Sequence, residues 1–262
     1  MIIPIFQVNA FAAELFAGNP AAVMVFDKFP SDATLQALAA QNNLSETAFL
    51  VAESGDYALR WFTPVREVSL CGHATLASAA VVMERLERKR RRVSFRTASG
   101  TLTVKRTHSG YALNLPAYTA DIAVAPIGFE QALGVEPWQF LLFKRTGMAL
   151  LRSAKDVRTL TPNLRALEQL DIDAVIVTAA DQDPYDFISR FFAPACGIDE
   201  DSVTGSAHCT LIPYWAKRLQ KKNLYAFQAS RRGGSLQCRH LGSRIEIEGS
   251  CVFYMEGTTD LR

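Results

Sequence analysis

The chain has 262 residues, 49% hydrophobic and 21% charged, which provides a full core for one large domain or two of ordinary size. A net charge of +2 is too small to predict a nucleic-acid or membrane partner. Five scattered cysteines are not the pattern of a disulfide framework, no basic leader precedes MIIPIFQVNAF, and no apolar run reaches membrane-span length, so the expectation is a reduced, cytoplasmic protein.

Ile2 to Ala10 alternates as a strand, and Phe16 to Pro20 reads as a turn before a second strand over 21–26. Asn19, ahead of Pro20, is pushed to extended geometry and offers an amide to the turn or to a ligand. Ser31 or Asp32 can cap a helix over 34–42 with Leu35, Leu38 and Ala39 on one face. Residues 47–51 form the next strand, with Glu46 at its entrance, where partial burial would suit a carboxylate to carrying protons. A strand over 57–62 follows, then short strands over 93–95, 101–105 and 111–115 with glycine turns. The basic run Arg88 to Arg92 reads as a solvated helix end.

Residues 116–126 read as a linker that divides the chain into halves, 1–117 and 118–262. The second half predicts helices over 125–133 and 162–170 and strands near 139–143, 148–151, 174–178 and 187–192. Further strands are expected around Tyr225, 236–239, 245–248 and 252–255.

One pattern occurs twice. Arg60-Trp61-Phe62-Thr63-Pro64 is followed by Gly72-His73-Ala74, and Arg190-Phe191-Phe192-Ala193-Pro194 by Gly205-Ser206-Ala207, each running into a small-residue apolar segment. Both copies predict strand, loop and helix, with glycine where the loop becomes helix. The first amides of a helix lack intrahelical acceptors and lie at its positive end, which suits a carboxylate or a developing oxyanion. Two such termini predict two half-sites.

Candidates for chemistry cluster in or near this repeat: Glu46, Cys71, His73, Asp201 and Ser206. A histidine can shuttle protons near neutral pH, and a cysteine at a helix N-terminus has a lowered pKa. Asp199 or Asp201 could equally cap a helix. Cys71-x-His73 with His208-Cys209 offers zinc-type ligands at poor spacing. No nucleotide-binding glycine motif is present. Cysteine nucleophile catalysis would need a histidine base, and His73, two residues from Cys71, is a poor direct partner; proton transfer by carboxylate, histidine and backbone donors around a carboxylated substrate, without a cofactor, is the third option.

GNPAAV, NLSETAF, RWFTPVREVSLCGHATLA and FFAPACGIDEDSVTGSAH together resemble the phenazine-biosynthesis PhzF-like family over nearly the whole chain. The resemblance implies an α+β fold of the diaminopimelate epimerase kind: two pseudo-symmetric halves, each a curled, barrel-like sheet around a central helix, with the active site between them. By resemblance Glu46 is the proton carrier, His73 and Asp201 orient the substrate, and Gly72 and Ser206 face it; Gly205 at the second helix start and Asn19 are further candidates for binding it. The implied reaction is isomerisation of a small carboxylated, cyclic unsaturated metabolite with no metal or coenzyme, by a homodimer. The epimerase relatives use one cysteine at each helix start; here Cys71 precedes Gly72, but Thr204 precedes Gly205. A single-cysteine epimerase or dehydratase using Cys71, and a ligand-binding protein without activity, stay open as alternatives.

Overall fold

In the computed structural model, which describes residues 1–262, the first strands follow the hydrophobic alternation of the sequence. Strands β1 (Ile2–Ala10) and β2 (Asn19–Phe26) are antiparallel. Helix α1 (Asp32–Asn42) then carries the chain to β3 (Glu46–Glu53), which runs parallel to β2. Ser31 Oγ accepts the Thr34 amide at 3.2 Å, and Asn43 ends the helix in a left-handed conformation. Leu35 and Ala39 of this helix pack with Ile3, Met24, Phe26, Phe49 and Phe62 on one side of the strands.

β4 (Asp56–Phe62) pairs antiparallel with β3 and with the short β5 (Glu67–Val68), which leads into helix α2 (Gly72–Val81). Every residue of α2 is buried. Alanines at 74, 77, 79 and 80 keep its circumference small, and its polar side chains bond back along the helix, Thr75 to the Cys71 carbonyl and Ser78 to that of Ala74 at 2.7 Å. The helix continues into one wider turn, Val82–Leu86, closed by the Glu87 amide on the Val82 carbonyl at 2.7 Å. Within the basic run that follows, Arg90 pairs with Asp56 and with Glu87. β6 (Arg92–Thr97) lies parallel to β4, and β7 (Gly100–Arg106) and β8 (Tyr111–Pro116) complete the meander.

The second unit repeats this order of pairing. After β9 (Asp121–Ile122) and α3 (Phe129–Leu133) come β10 (Gln139–Phe143) and β11 (Thr146–Leu150), antiparallel to each other. Helices α4 (Ala154–Thr159) and α5 (Leu164–Glu168) lead to β12 (Ala174–Ala180), parallel to β11. β13 (Phe187–Ala193) is antiparallel to β12 and to β14 (Ile198–Asp201). Helix α6 (His208–Leu219) is followed by β15 (Asn223–Gln228), parallel to β13, and β16 (Gly234–His240). Strand for strand this is the succession of β1 to β7.

Trp215 of α6 stacks on Phe187 and donates its indole N–H to Thr178 Oγ1 at 3.0 Å, which fixes α6 against β12 and β13. Pro213 lies inside α6 and cannot donate to the Cys209 carbonyl four residues earlier. The Tyr118 amide bonds that carbonyl instead, at 2.8 Å.

Strand β17 (Arg244–Gly249) carries the chain back, and β18 (Cys251–Asp260) pairs antiparallel with β1. Unit 1 is therefore Met1–Leu115 with Glu246–Arg262, and unit 2 is Pro116–Ile245. A single division at residue 117 differs from this arrangement because the last strand belongs with the first. α2 touches β18, β1, β2 and β3 and also β7 at the far end of the strand order, so the sheet of unit 1 curls around its helix.

Two helices of unit 2 are shorter than the sequence predicts. Gly128, at φ +86°, delays α3 to Phe129, and Asn163, accepting the Ala166 amide at 3.1 Å, starts α5 after Pro162 rather than at it. α4, absent from the predicted elements, is capped by Ser153, whose hydroxyl accepts the Asp156 amide at 3.1 Å. No helix is long and apolar enough to cross a membrane.

Candidate active site

In unit 1 the parallel pairing of β2 and β3 sets Asn19 and Glu46 at neighbouring strand starts, with Ala21 opposite Glu46. Gly18, at φ +68°, makes the turn into β2; a Cβ there would drive into the Ala10 carbonyl, so only glycine delivers Asn19 to this place. The start of α2 brings His73 to both residues. Its Nε2 lies 3.2 Å from Glu46 Oε2, and its Nδ1 lies 3.1 Å from Asn19 Nδ2. Side-chain exposure is 3% for His73 and 13% for Glu46. Ser45 donates to Asn19 Oδ1 at 3.4 Å.

These contacts assign the imidazole tautomer. An amide nitrogen only donates, so Nδ1 of His73 is the acceptor. In the neutral ring the proton is then on Nε2, the nitrogen nearer Glu46. Cys71, extended at the N-cap of α2, places Sγ 3.6 Å from the same Nδ1.

Glu46, Cys71 and His73 bring their ligand atoms within 4.8 Å of one another. The thiol lies nearest Nδ1 and the carboxylate nearest Nε2, so they face different nitrogens of the ring. The other half of the zinc-type pattern, His208 and Cys209, is not part of this group. His208 Nδ1 is 2.9 Å from the Thr204 carbonyl, and burial pushes the Cys209 thiol up to about 12.

In unit 2 the equivalent loop holds a closed polar network. Asp201, buried at the end of β14, accepts from Thr204 Oγ1 at 2.5 Å. Gln228, buried on β15, accepts the Thr204 amide at 2.7 Å and donates to the Asp201 carbonyl at 2.9 Å and to Thr204 Oγ1 at 3.1 Å. Asp201 does not cap α6, which carries no side-chain cap. Gly205 and Ser206 occupy a tight turn before the helix, closed by the His208 amide on the Gly205 carbonyl at 3.2 Å, whereas Gly72 is itself the first residue of α2. His208 is wholly buried, and desolvation lowers its pKa to about 4 against the partial support of the Thr204 carbonyl.

Thus Glu46, His73, Asn19 and Gly72 meet in unit 1, and Asp201, Gly205 and Ser206 meet in unit 2. Sequence reasoning passed over Ser45 and Gln228. Ser45 stands beside Glu46 in NLSETAF and was within reach of inspection. Gln228 is 24 residues from Thr204 and had no local signal.

The family model described as phenazine biosynthesis-like protein matches residues 8–257. An uncharacterized isomerase of Pseudomonas aeruginosa is 47% identical, over 96% of each chain. The crystal structure of a PhzF-family phenazine biosynthesis protein from Enterococcus faecalis superposes with a TM-score of 0.94 at 43% identity, covering 100% of both chains. A hydroxyproline epimerase from Agrobacterium vitis shares the fold, with a TM-score of 0.67 at 12% identity over 98% of this chain and 91% of its own. The α+β, epimerase-like fold is therefore as the sequence motifs imply, and the chain belongs to the phenazine biosynthesis-like family and is an isomerase.

Proposed function

We propose that this isomerase moves a proton between carbons of a small carboxylated, unsaturated metabolite, with Glu46 as the general acid and base and without metal or coenzyme. The observation that carries the reading is the Glu46–His73 pair at 3.2 Å, nearly shut off from solvent, at the start of a buried helix. The Glu46 carboxylate takes a proton from carbon. The C–H electron pair enters the adjacent conjugated system, the double bond shifts, and the carboxyl O–H returns its proton to a different carbon. His73, whose Nε2 lies 3.2 Å from Glu46 Oε2, positions the carboxylate. The amides at the start of α2 lie at its positive end and suit the substrate carboxylate. Asp201 and the Gly205–Ser206 turn are proposed to orient the substrate, in line with the family motif they match. Action as a homodimer in the cytoplasm belongs to the same proposal.

A second reading has one observation in its favour. Cys71 is at a helix N-cap with Sγ 3.6 Å from His73 Nδ1, and a thiol so placed can serve as a single base.

Incubation in deuterated water with a panel of cyclic and acyclic unsaturated amino and hydroxy acids separates the two. Deuterium uptake with a shifted double bond, lost in Glu46→Gln, supports the glutamate. Uptake that survives Glu46→Gln and disappears in Cys71→Ala moves the chemistry to the thiol.

A further inference from the structure

The chain contains three tryptophans. Trp138 donates its indole N–H to the Leu151 carbonyl at 3.1 Å, and Trp215 donates to Thr178 at 3.0 Å. Trp61 is 1% exposed, and its Nε1 is buried with no acceptor in the protein. Buried indole N–H groups ordinarily find a partner, and leaving one unmade opposes folding.

The strand register locates this donor. Trp61 on β4 is opposite Ala48 on β3, so their side chains share one face of the sheet. Glu46, two residues before Ala48, is on that face too. The other face is accounted for: Phe49, Val51, Ala58 and Phe62 point to α1. The face holding Trp61 and Glu46 is the one that α2 covers with His73. Trp61 is a diagonal neighbour of Glu46, a separation of about 7–8 Å between strand positions that aromatic side chains bridge. The corresponding residue of the second repeat is Phe191, which has no donor, so this N–H is peculiar to the half that carries Glu46.

We propose that Trp61 is a substrate-binding and specificity residue, its indole N–H donating to a carbonyl or hydroxyl oxygen on the carbon skeleton that Glu46 deprotonates. The inference rests on Glu46 being the acid and base. A neutral donor in a dry wall selects a neutral oxygen and discriminates against analogues that lack it, because their binding leaves the N–H unpaired. The substrate class is narrowed accordingly to oxygenated carboxylic acids.

The test is the indole region of the proton–nitrogen correlation spectrum of the full chain, with Trp61 identified by the signal lost in Trp61→Phe. The probes are benzoate, 2-hydroxybenzoate and 3-hydroxybenzoate. We expect the Trp61 indole proton to move downfield with a hydroxybenzoate and not with benzoate. Trp61→Phe should weaken that hydroxybenzoate roughly threefold to tenfold and leave benzoate unchanged, the loss of one hydrogen bond between neutral groups. A Trp61 signal fixed in the presence of all three probes overturns the proposal, and so does equal affinity in Trp61→Phe. Deuterium uptake in Glu46→Gln is read separately, so failure of the glutamate mechanism is distinguishable from failure at Trp61.

Discussion

Thr204 donates its hydroxyl hydrogen to the Asp201 carboxylate at 2.5 Å and accepts from Gln228 at 3.1 Å, so the residue preceding Gly205 has its hydrogen-bonding capacity committed to holding an acid. Its counterpart Cys71, preceding Gly72, faces a histidine instead. The two helix starts share a backbone plan and differ in chemistry.

Thr204→Val keeps the shape and removes one donor to Asp201 and one acceptor for Gln228. Both are buried, and the expected loss of stability is about 1–3 kcal/mol, read from urea unfolding. Thr204→Ser, which restores the hydroxyl, should recover most of it. Equal midpoints for the valine variant and the wild type would show the network to be energetically idle.

Cys71→Ala should retain deuterium uptake within about tenfold of wild type, while Glu46→Gln should lose roughly a hundredfold or more, the range for removal of a positioned acid or base. The alanine variant leaves the Cys71 carbonyl in place for Thr75, so α2 should start as before. Circular dichroism checks the fold of both variants. Equal losses would make the thiol a part of the proton-transfer machinery alongside Glu46.

His208 shapes the acid limb of stability. Its pKa is lowered from 6.5 to about 4 in the folded protein, so the unfolded chain binds the proton first as pH falls. The contribution is complete above pH 6.5 and is lost between about 6.5 and 4, by roughly 3 kcal/mol. His208→Asn, whose amide can still donate to the Thr204 carbonyl, should have a flatter stability profile over that window. Urea midpoints at half-unit pH steps measure it, and an unchanged profile would assign the acid limb to other groups.

Gly18→Ala should destabilise by more than about 2 kcal/mol and shift the His73 ring resonances. Its added Cβ meets the Ala10 carbonyl and lies 2.7 Å from Ala12 Cβ, at a φ of +68° that alanine avoids. The turn must move, and Asn19 with it. Unaltered His73 resonances would show that Asn19 is placed by β2 alone.

Much of the fold was legible because its signals are local. Alternation marked the strands from Ile2 to Leu115, Ser31 marked a cap, and the repeated Arg-aromatic-Phe-x-Pro segment marked two related units. Local signals were overridden in two ways. Gly128 shortened a helix that composition alone favoured, and the ladder between β18 and β1 took the last residues into the first unit. Pairing at a sequence separation of some 250 residues leaves no trace in either segment alone.

By itself the sequence determined the family, the doubled architecture and the identity of Glu46, His73 and Asp201 as candidates, because each rests on residue order and spacing. Only the tertiary structure decided what those side chains face. It set Nε2 of His73 beside Glu46 and gave Nδ1 to Asn19, closed Gln228 onto Asp201 and Thr204, and left the Trp61 indole without an acceptor on the face of Glu46. Hydrogen-bond partnership depends on strand register and helix placement, which are set by the packing of whole units and not by any one stretch of the chain.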